Sequence, residues 1–421
     1  METKIGEPLS AVTRELLADD EAYTAGGFGP LPGYIVSGKG STMWVSLQPR
    51  TINTSSLLIH SNIAVHSATW PPLAKKLCQT LGYDKVAAMA SGAEAADSAV
   101  KIARKWGIVR KGIKPADVLV LGCSDNYHGL TSGIWPIMNP GCGQEGYGIE
   151  SKQITNRNPK TGALLRYGHV EDYEAILSEM HKVVAAIIME PIHGVLRTAE
   201  EEINFGIGVR QLCKRYNILF ISDEVRMGSG KTGRFLCSDW LGPENKPHMI
   251  TLGKSISGGV CPASYILGFN DTMSLVEPNQ VASTFAMSPM GNAATLAALS
   301  AYEDGKLFKR ARVVEQRWVE ATSKWNHPFL AYCPARGADL GITFKEDSGN
   351  VTTRRFARLA YQKGVLVYPQ GSRIRISVAL TITDEELEKG IRILTETMDE
   401  IASYGEIPGS SHRVESINAG F

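Results

Sequence analysis

The chain has 421 residues, which at about 150 residues per domain predicts two or three domains. Its 44 Lys and Arg residues balance 43 Asp and Glu residues to a net charge of +1, which argues against a partner such as nucleic acid or a membrane surface. The sequence has no run of 18 apolar residues, no secretory pattern at its start, and seven scattered cysteines. These features argue against a disulfide framework or a metal site and predict a cytoplasmic protein.

The middle of the chain alternates short apolar runs with amphipathic stretches. This pattern is typical of a mostly parallel sheet with helices on both faces, an α/β architecture. The predicted strands span residues 85–90, 118–122, 183–189, 218–222, 249–253 and 263–268. The predicted helices between them, with apolar residues at three- and four-residue spacing, span 93–111, 173–182 and 207–216.

A smaller domain of mixed α+β character is predicted to follow the large one. Its predicted strands span 340–344 and 373–378, and its helices 308–325, 353–363 and 384 to about 403, after a bridging helix over 291–304. The predicted organisation has four parts: an N-terminal segment (1–75) that contributes to the small domain and the substrate entrance, a large domain (76–307), a small domain (308–405) and a flexible tail (406–421).

The first candidate site feature is a helix start that follows the strand at 85–90. Ser91 and Glu94 have the spacing of a capping box, and Gly92 and Ala93 are small enough to let a ligand approach the backbone. The positive end of a helix dipole binds phosphate well. A plain capped helix without a ligand is the alternative for this segment taken alone.

Two charged residues follow other predicted strands. Asp223 directly follows the apolar run 218–222, and a carboxylate that is buried at this strand end requires a cationic partner. Lys254 directly follows the run 249–253 and lies among small residues. Poor solvation there lowers the pKa of an amine and makes it nucleophilic. Taken singly, Asp223 could cap a turn and Lys254 could be an ordinary solvated lysine.

Together the three features provide an amine, a carboxylate and a phosphate cradle at strand ends on one edge of a sheet. Pyridoxal 5′-phosphate (PLP) needs this set: an amine for its aldehyde, an anion for its pyridinium nitrogen and a helix N-terminus for its phosphate. The combination therefore predicts a PLP site.

Over about residues 66 to 400, the sequence resembles the class III (omega) aminotransferases of PLP fold type I, and among them most closely the ornithine aminotransferases. The resemblance rests on several motifs in one order. They are Ser91-Gly-Ala-Glu-Ala-Ala, Met189-Glu-Pro-Ile-His-Gly194, Asp223-Glu-Val, Lys231-Thr-Gly-Arg234 and Leu252-Gly-Lys-Ser-Ile-Ser-Gly-Gly259. It implies a mostly parallel central sheet flanked by helices, and a small α+β domain built from the N- and C-terminal segments.

The resemblance also implies roles for single residues. Lys254 would form the internal aldimine and then move the proton, while Asp223 would keep the ring nitrogen protonated. Tyr127 would stack on the ring face. The other cofactor-binding residues that the resemblance implies are Ser91, Gly92, Ala93, His128, Glu190 and Arg226.

Two further residues are assigned by the resemblance alone. Thr284 would bind the phosphate of the neighbouring subunit's cofactor, which implies a homodimer. Arg375 would grip the substrate carboxylate, a role suited to a bidentate guanidinium. An ordinary loop hydroxyl and a surface charge on a strand are the respective alternatives.

The sequence departs from the ornithine aminotransferase pattern in the substrate pocket. Arg226 stands where the family has a glutamine beside the pyridine 3′-oxygen, and His193 also replaces a glutamine. Val195 replaces an acid that pairs with the carboxylate-binding arginine, and Leu130 replaces a second arginine. These changes leave ornithine unassigned as the substrate.

A further departure is a short segment between residues 45 and 65, where the family has a longer stretch that lines the substrate entrance. The predicted function is an aminotransferase that moves an amino group from an amino acid or ω-amino acid to a 2-oxo acid. Racemisation or epimerisation of an amino acid with the same cofactor is one alternative. A truncated homologue that binds the cofactor without turnover is the other.

Overall fold

The N-terminal part of the chain in this computed structural model forms a helix and a small sheet. Helix α1 spans Ala11–Tyr23, and a sheet of order β2-β1-β3 contains β1 (Tyr34–Lys39), β2 (Thr42–Ser46) and β3 (His66–Ser67). The structure describes residues 11–25, 34–39, 42–46, 66–138 and 147–407. The predicted entrance segment over 45–65 therefore lies almost entirely outside the described residues.

Seven strands form the central sheet, and except for Lys85, Ile154 and Thr155 their residues are buried because layers of side chains cover both faces. These strands are β4 (Lys85–Met89), β5 (Leu119–Leu121), β6 (Ile154–Thr155), β7 (Val184–Met189), β8 (Leu219–Asp223), β9 (Met249–Leu252) and β10 (Ser264–Gly268). Their order is β4-β10-β9-β8-β7-β5-β6; β10 is antiparallel to both neighbours, and the other neighbouring pairs are parallel. The predicted mostly parallel sheet is confirmed.

Helices connect and cover these strands. They are α2 (Trp70–Leu81), α3 (Gly92–Val109), α4 (Val170–Met180), α5 (Ala199–Arg215), α6 (Asn270–Met273) and α7 (Pro289–Tyr302). Helix α5 begins well before the predicted position because Thr198 and Glu201 form a capping box. Within the described ranges, no helix has the length and apolar character needed to cross a membrane.

A second, antiparallel sheet follows, with its own helices on one face. The strands are β11 (Leu330–Tyr332), β12 (Ala335–Arg336), β13 (Asp339–Phe344), β14 (Tyr368–Gln370) and β15 (Arg373–Ser377), and the helices are α8 (Lys306–Thr322), α9 (Thr353–Gln362) and α10 (Asp384–Glu400). The main order is β11-β13-β15-β14, with β12 paired to β13. One hydrophobic cluster runs from Ala311 to Ile407, so Ile407 is buried although the tail was predicted to include it.

The small sheet meets the loop after β8 through a close backbone contact at Gly337. This residue has φ +63°, and a Cβ there would lie 2.3 Å from the carbonyl oxygen of Lys231. The N–H of Ala338 donates to that same oxygen at 2.9 Å, and Nζ of Lys231 donates to Oγ of Ser377 at 2.9 Å. The contact therefore fixes the small sheet against the strand-end loops of the central sheet.

We expect Gly337→Ala to destabilise the protein more than Gly349→Ala. Both glycines have φ +63°, but a Cβ at Gly349 meets no atom within 4 Å. The control thus carries the backbone strain alone, about 1–2 kcal/mol, whereas Gly337→Ala adds a steric clash of about 1–3 kcal/mol. Denaturant midpoints of the two variants measure the difference, and equal midpoints would contradict the close contact.

Candidate active site

The candidate site lies at the edge of the central sheet where β4, β7, β8 and β9 end. Ligands of open α/β sheets bind at the carboxyl ends of parallel strands. In the register of β8 and β9, Asp223 lies opposite Thr251, and Lys254 follows shortly after β9. The two residues on which the sequence prediction depends therefore leave neighbouring strands at the same edge.

The carboxylate of Asp223 is held by three neighbours. Its Oδ1 accepts hydrogen bonds from the N–H of Val225 at 3.0 Å and the hydroxyl of Thr251 at 2.9 Å. Its Oδ2 lies 2.7 Å from Nδ1 of His128, and both side chains are buried. These contacts fix the direction of the carboxylate, and among the described residues Nε2 of His128 has no hydrogen-bond partner.

Lys254 has a backbone conformation that non-glycine residues rarely adopt. Its φ is +46°, in the left-handed region, and such strain of about 1–3 kcal/mol often occurs at functional sites. The residue is exposed to a cavity, yet the surrounding protein displaces enough water to lower the pKa of its amine below 10.5. Asp223 and Glu190 partly offset this shift because they favour the ammonium form.

The start of α3 offers backbone donors to an anion. Ser91 caps the helix: its Oγ accepts from the N–H of Glu94 at 3.2 Å, and its own N–H donates to Oε2 of Glu94 at 2.8 Å. The N–H groups of Gly92 and Ala93 come next and, as the first in the helix, have no partner within it. The hydroxyl of Ser91 thus orders the helix start, and the two amides are placed to bind an anion.

Close packing brings this helix start next to the lysine loop. A Cβ at Gly92 would lie 2.6 Å from Cγ1 of Val225. A Cβ at Gly253, the residue before Lys254, would lie 3.1 Å from the same methyl group and 3.5 Å from Cα of Gly92. Val225 therefore packs against both the start of α3, which is the predicted phosphate site, and the glycine that precedes Lys254.

The loop of Tyr127 packs against the same helix start. Gly129 has φ +113°, and a Cβ there would lie 2.3 Å from Cβ of Ala93, so only glycine fits. The N–H of Tyr127 donates to Oε2 of Glu190 at 3.0 Å. Because Glu190 follows β7 directly, its carboxylate holds this loop at the edge of the sheet, and the side chain of Tyr127 lines the cavity.

A buried network surrounds Arg226, which also lines the cavity. Its Nε donates to Oε1 of Glu190 at 3.1 Å, its Nη1 donates to Oδ2 of Asp339 at 3.1 Å, and its Nη2 lies 2.7 Å from Nδ1 of His193. Burial opposes the charge of Arg226, but Asp339 and Glu190 outweigh it and raise the pKa of the guanidinium. The sequence analysis did not single out Asp339, which lies at the first position of β13.

The pKa values of the two other members of this network are both lowered. Burial lowers the pKa of His193, although Glu190 opposes this shift. Burial also opposes the charge of Glu190, but the neighbouring side chains of His193 and Arg226 hold its pKa well below its usual range. Arg226 is therefore a fixed cation that is already paired with two carboxylates.

Arg375 projects from the middle of β15 toward the same cavity. Its Nη2 lies 3.8 Å from Oδ1 of Asp339, and its buried Nε has no hydrogen-bond partner among the described residues. Burial lowers the pKa of this guanidinium, and Arg226 adds to the shift. Arg375 is thus less well paired than Arg226 and is better able to bind an anion.

A buried glutamate that the sequence analysis missed shapes the loop after β7. Glu202 is 0% exposed and accepts four backbone N–H groups, those of residues 193 to 196, at 2.7–3.1 Å. Nε of Arg336 donates to the same carboxylate at 3.0 Å. The sequence gives little sign of this role, because Glu202 is one of three acidic residues in the first turn of α5, where acids are common on exposed helix starts.

The cavity has a volume of about 320 Å³, within the range of small-molecule sites. Its lining residues are Tyr127, His193, Arg226, Lys254, Tyr368, Arg375 and Ser377. Of the three features that predict the cofactor site, only Lys254 lines this cavity, while Asp223 leaves the neighbouring strand at the same sheet edge and the start of α3 packs beside the lysine loop. An amine of lowered pKa, a buried carboxylate and a glycine-lined helix start are thus adjacent, and this set fits PLP. Thr284 is exposed and is not among these lining residues, but its neighbour Ser283 donates to Glu94 near the start of α3 at 3.0 Å.

Comparison with protein families gives a match to the class-III aminotransferase model over residues 51–398. Ornithine aminotransferase of Schizosaccharomyces pombe is 30% identical over 94% of this chain and 96% of its own. The ornithine aminotransferase of Saccharomyces cerevisiae is 28% identical over 92% of this chain and 98% of its own. These relatives span nearly the whole chain.

Solved structures give the same result for the fold. The ornithine aminotransferase of Toxoplasma gondii, whose active site contains PLP at partial occupancy, has a TM-score of 0.73 and 25% identity, and the match covers 93% of this chain and 95% of its own. Acetylornithine aminotransferase of Elizabethkingia anophelis has a TM-score of 0.68 and 26% identity, with coverage of 92% and 98%. The fold is therefore PLP fold type I.

Proposed function

The chain belongs to the class-III aminotransferases and is a PLP-dependent transaminase, and we propose that its reaction takes place around Lys254 and Asp223. In this proposal an amino acid or ω-amino acid gives its amino group to a 2-oxo acid. The main support is the register of β8 and β9, in which Asp223 lies opposite Thr251 and Lys254 follows at the same edge. The two relatives compared above by sequence are ornithine aminotransferases, but the altered pocket leaves the donor defined only by chemical class.

PLP, when bound, supplies a protonated pyridine ring that draws electrons away from the carbon bearing the amino group. In the proposed assignment, the N–H groups of Gly92 and Ala93 hold the phosphate, with Ser91 ordering the turn. Tyr127 covers one face of the ring, and Glu190 keeps Tyr127 in place through its N–H. These residues bind and orient the cofactor without taking part in proton transfer.

Asp223 is proposed to keep a proton on the ring nitrogen. A carboxylate does so best when its direction is fixed, and Thr251, Val225 and His128 provide that constraint. His128 is proposed as a positioning residue that acts through Asp223. Its burial prevents water from competing for the same carboxylate oxygen.

Lys254 is proposed as the base that removes a proton from the substrate carbon and returns it. A base must be neutral to accept a proton, and the lowered pKa increases the neutral fraction at ordinary pH. Arg375 is proposed to bind the substrate carboxylate at the other end of the cavity. Arg226, placed by resemblance beside the 3′-oxygen of the ring, would act as a fixed cation because Glu190 and Asp339 already hold it.

A homodimer and a cytoplasmic location are further parts of the proposal. The dimer is supported by the resemblance at Thr284 and by the 68% exposure of Phe285 beside it, an apolar side chain suited to an interface. The location is supported by the scattered cysteines, of which Cys78, Cys123 and Cys213 are buried as free thiols.

Mixing the holoenzyme with single amino donors tests the reaction. We expect loss of the visible absorbance of the bound cofactor and release of an oxo product, because transamination leaves the amino group on the cofactor. A panel of α-amino acids and terminal amines, ornithine included, would define the donor. Unchanged absorbance with inversion at the α-carbon would indicate a racemase, and cofactor binding without turnover on any amine would indicate an inactive homologue.

The lowered pKa of Lys254 predicts its labelling by an amine-reactive reagent. In cofactor-free protein, Lys254 should reach half of its maximal labelling rate below pH 10.5, because the neutral amine reacts and a lowered pKa makes it available at lower pH. Peptide mass spectrometry across a pH series measures this rate, and Lys254→Ala identifies the peptide. A midpoint at or above pH 10.5 would contradict the assignment.

Asp223→Asn should slow proton removal from the substrate by about 100-fold or more, because a neutral amide does not hold the proton on the ring nitrogen. Cofactor binding should persist, since the phosphate and amine contacts remain. Stopped-flow absorbance with a reactive donor measures the rate. Asp399, which is exposed and lies 3.3 Å from His327, provides the control variant Asp399→Asn. A normal rate in Asp223→Asn would remove Asp223 from the reaction.

A further inference from the structure

A second cavity lies at the edge of the central sheet opposite the candidate active site. Its lining includes Leu219, where β8 begins, and His248, which directly precedes β9. Leu219 and Asp223 are the first and last residues of β8 and lie about 13 Å apart along the strand. This space, which we call the far-edge cavity, and the candidate active site therefore lie at opposite ends of one strand.

The far-edge cavity has the size and the lining of a small-molecule site. Its volume is about 310 Å³, close to the 320 Å³ of the main cavity. Cys213 and Leu219 contribute apolar surface, whereas Arg210, Lys214 and His248 contribute nitrogen donors. An apolar concave surface with a few polar groups is the usual form of a ligand site.

Arg210 carries a charge that no carboxylate compensates. Its Nε donates to the carbonyl oxygen of Lys246 at 3.1 Å, and its buried Nη1 has no hydrogen-bond partner in the described part of the chain. Burial lowers the pKa of the guanidinium, and the groups that oppose this shift are Cys213 and Tyr83. Burial raises the pKa of both, to about 12 for Cys213, so the thiol and the phenol are neutral at neutral pH.

Lys214 adds a second cation on the same face of α5, because residues four apart in a helix are neighbours. It is exposed and forms no ion pair with the residues that the structure describes. Lys214 lies in the last turn of α5, where a cation also stabilises the helix end. Arg210 lies one turn earlier, so the helix end does not account for its position.

His248 provides a neutral donor. Its Nδ1 accepts from the backbone N–H of Phe220 at 2.8 Å, and its own backbone N–H donates to the carbonyl oxygen of Phe220 at 2.9 Å. Burial lowers the pKa of the ring to about 4, so at neutral pH the ring carries one proton, on Nε2. Nε2 forms no hydrogen bond with the described residues, and the ring lines the cavity.

Two acids also line the far-edge cavity, but they do not cancel its positive charge. Asp271 is already paired, since its Oδ1 lies 3.5 Å from Nε of Arg110. Glu244 is exposed, so solvent screens its charge. At His248, the charge of Arg210 lowers the pKa more than Asp271 raises it. The cavity therefore favours an anion.

We propose that the far-edge cavity binds a small organic anion, a phosphate monoester or a carboxylate, at Arg210, Lys214 and His248. A volume of about 310 Å³ leaves room for a body beyond the anionic group, and this body would cover the apolar surface of Cys213 and Leu219. The proposal does not depend on the proposed function, because none of these residues lines the main cavity.

Calorimetric titration of the holoenzyme with three matched probes tests the proposal. Glycerol 3-phosphate and glycerate carry an anion on the same three-carbon body, and glycerol is the neutral control. We expect at least one of the two anions to bind about 10-fold or more tightly than glycerol, because hydrogen bonds to charged groups are the stronger ones. The anion that binds more tightly identifies the head group, and either choice supports the proposal.

Variants locate the bound anion. Arg210→Gln should weaken the tighter anion by about 10- to 100-fold. Lys214→Gln changes an exposed residue and should weaken it by about 2- to 5-fold, which keeps the test valid even if Arg210→Gln folds poorly. Lys389, which is exposed on α10, provides the control Lys389→Gln, and this variant should leave the affinity unchanged. Retained cofactor absorbance shows that each variant is folded.

Two outcomes would overturn the proposal. One is that neither anion binds more tightly than glycerol, which would mean that the cavity holds solvent only. The other is an unchanged anion affinity in both Arg210→Gln and Lys214→Gln, which would place the anion elsewhere, for example at Arg375. Failure of the proposed function is a separate result, because it appears as a lack of turnover with every amine and leaves these affinities as they are.

Discussion

A buried guanidinium connects the two sheets on which this site depends. Arg226 donates to Glu190 at the end of β7 and to Asp339 at the start of β13, with 10% of its side chain exposed. Removing one partner of such a buried pair leaves an uncompensated charge, at a cost of about 3–5 kcal/mol. The ion pairs therefore hold the small sheet at a fixed place relative to the strand ends that carry Asp223 and Lys254.

The loop after β7 is ordered by a second buried charge. Glu202 pairs with Arg336 of β12 and accepts the N–H groups of four successive residues, so one carboxylate from α5 fixes both the loop and the small sheet. This loop contains His193, which lines the main cavity. The shape of the cavity thus depends on Glu202, an acid that does not itself line it.

The sequence predicted six of the seven strands of the central sheet because these six are buried on both faces, whereas the half-buried, two-residue strand β6 was missed. The apolar runs before Asp223 and Lys254 stood out for this reason, and the observed bounds of all six predicted strands lie within one residue of the prediction at each end. Helix α5 was predicted too short, since Gly206 weakens the helical pattern just before the predicted start at residue 207. A Cβ at Gly206 would lie 2.8 Å from Leu241, so packing of the helix required glycine there.

The pocket was harder to predict because its residues come from distant parts of the chain. Asp339 precedes the apolar part of β13, and no local pattern shows that its carboxylate meets Arg226. Tyr368 belongs to the short edge strand β14, which the apolar pattern did not reveal. Only the register of β14 and β15 brings Tyr368 beside Arg375.

The position of Asp339 gives a physical explanation for one departure from the family pattern, the valine at position 195. Val195 removes an expected acid, but Oδ2 of Asp339 lies 3.0 Å from the position of a Cβ at Gly194, the residue before it. The other oxygen of Asp339 lies 3.8 Å from Arg375. An acid from the small sheet therefore occupies the space beside the missing one. Because Oδ2 of Asp339 also accepts from Arg226, this acid is shared between the two arginines that line the cavity.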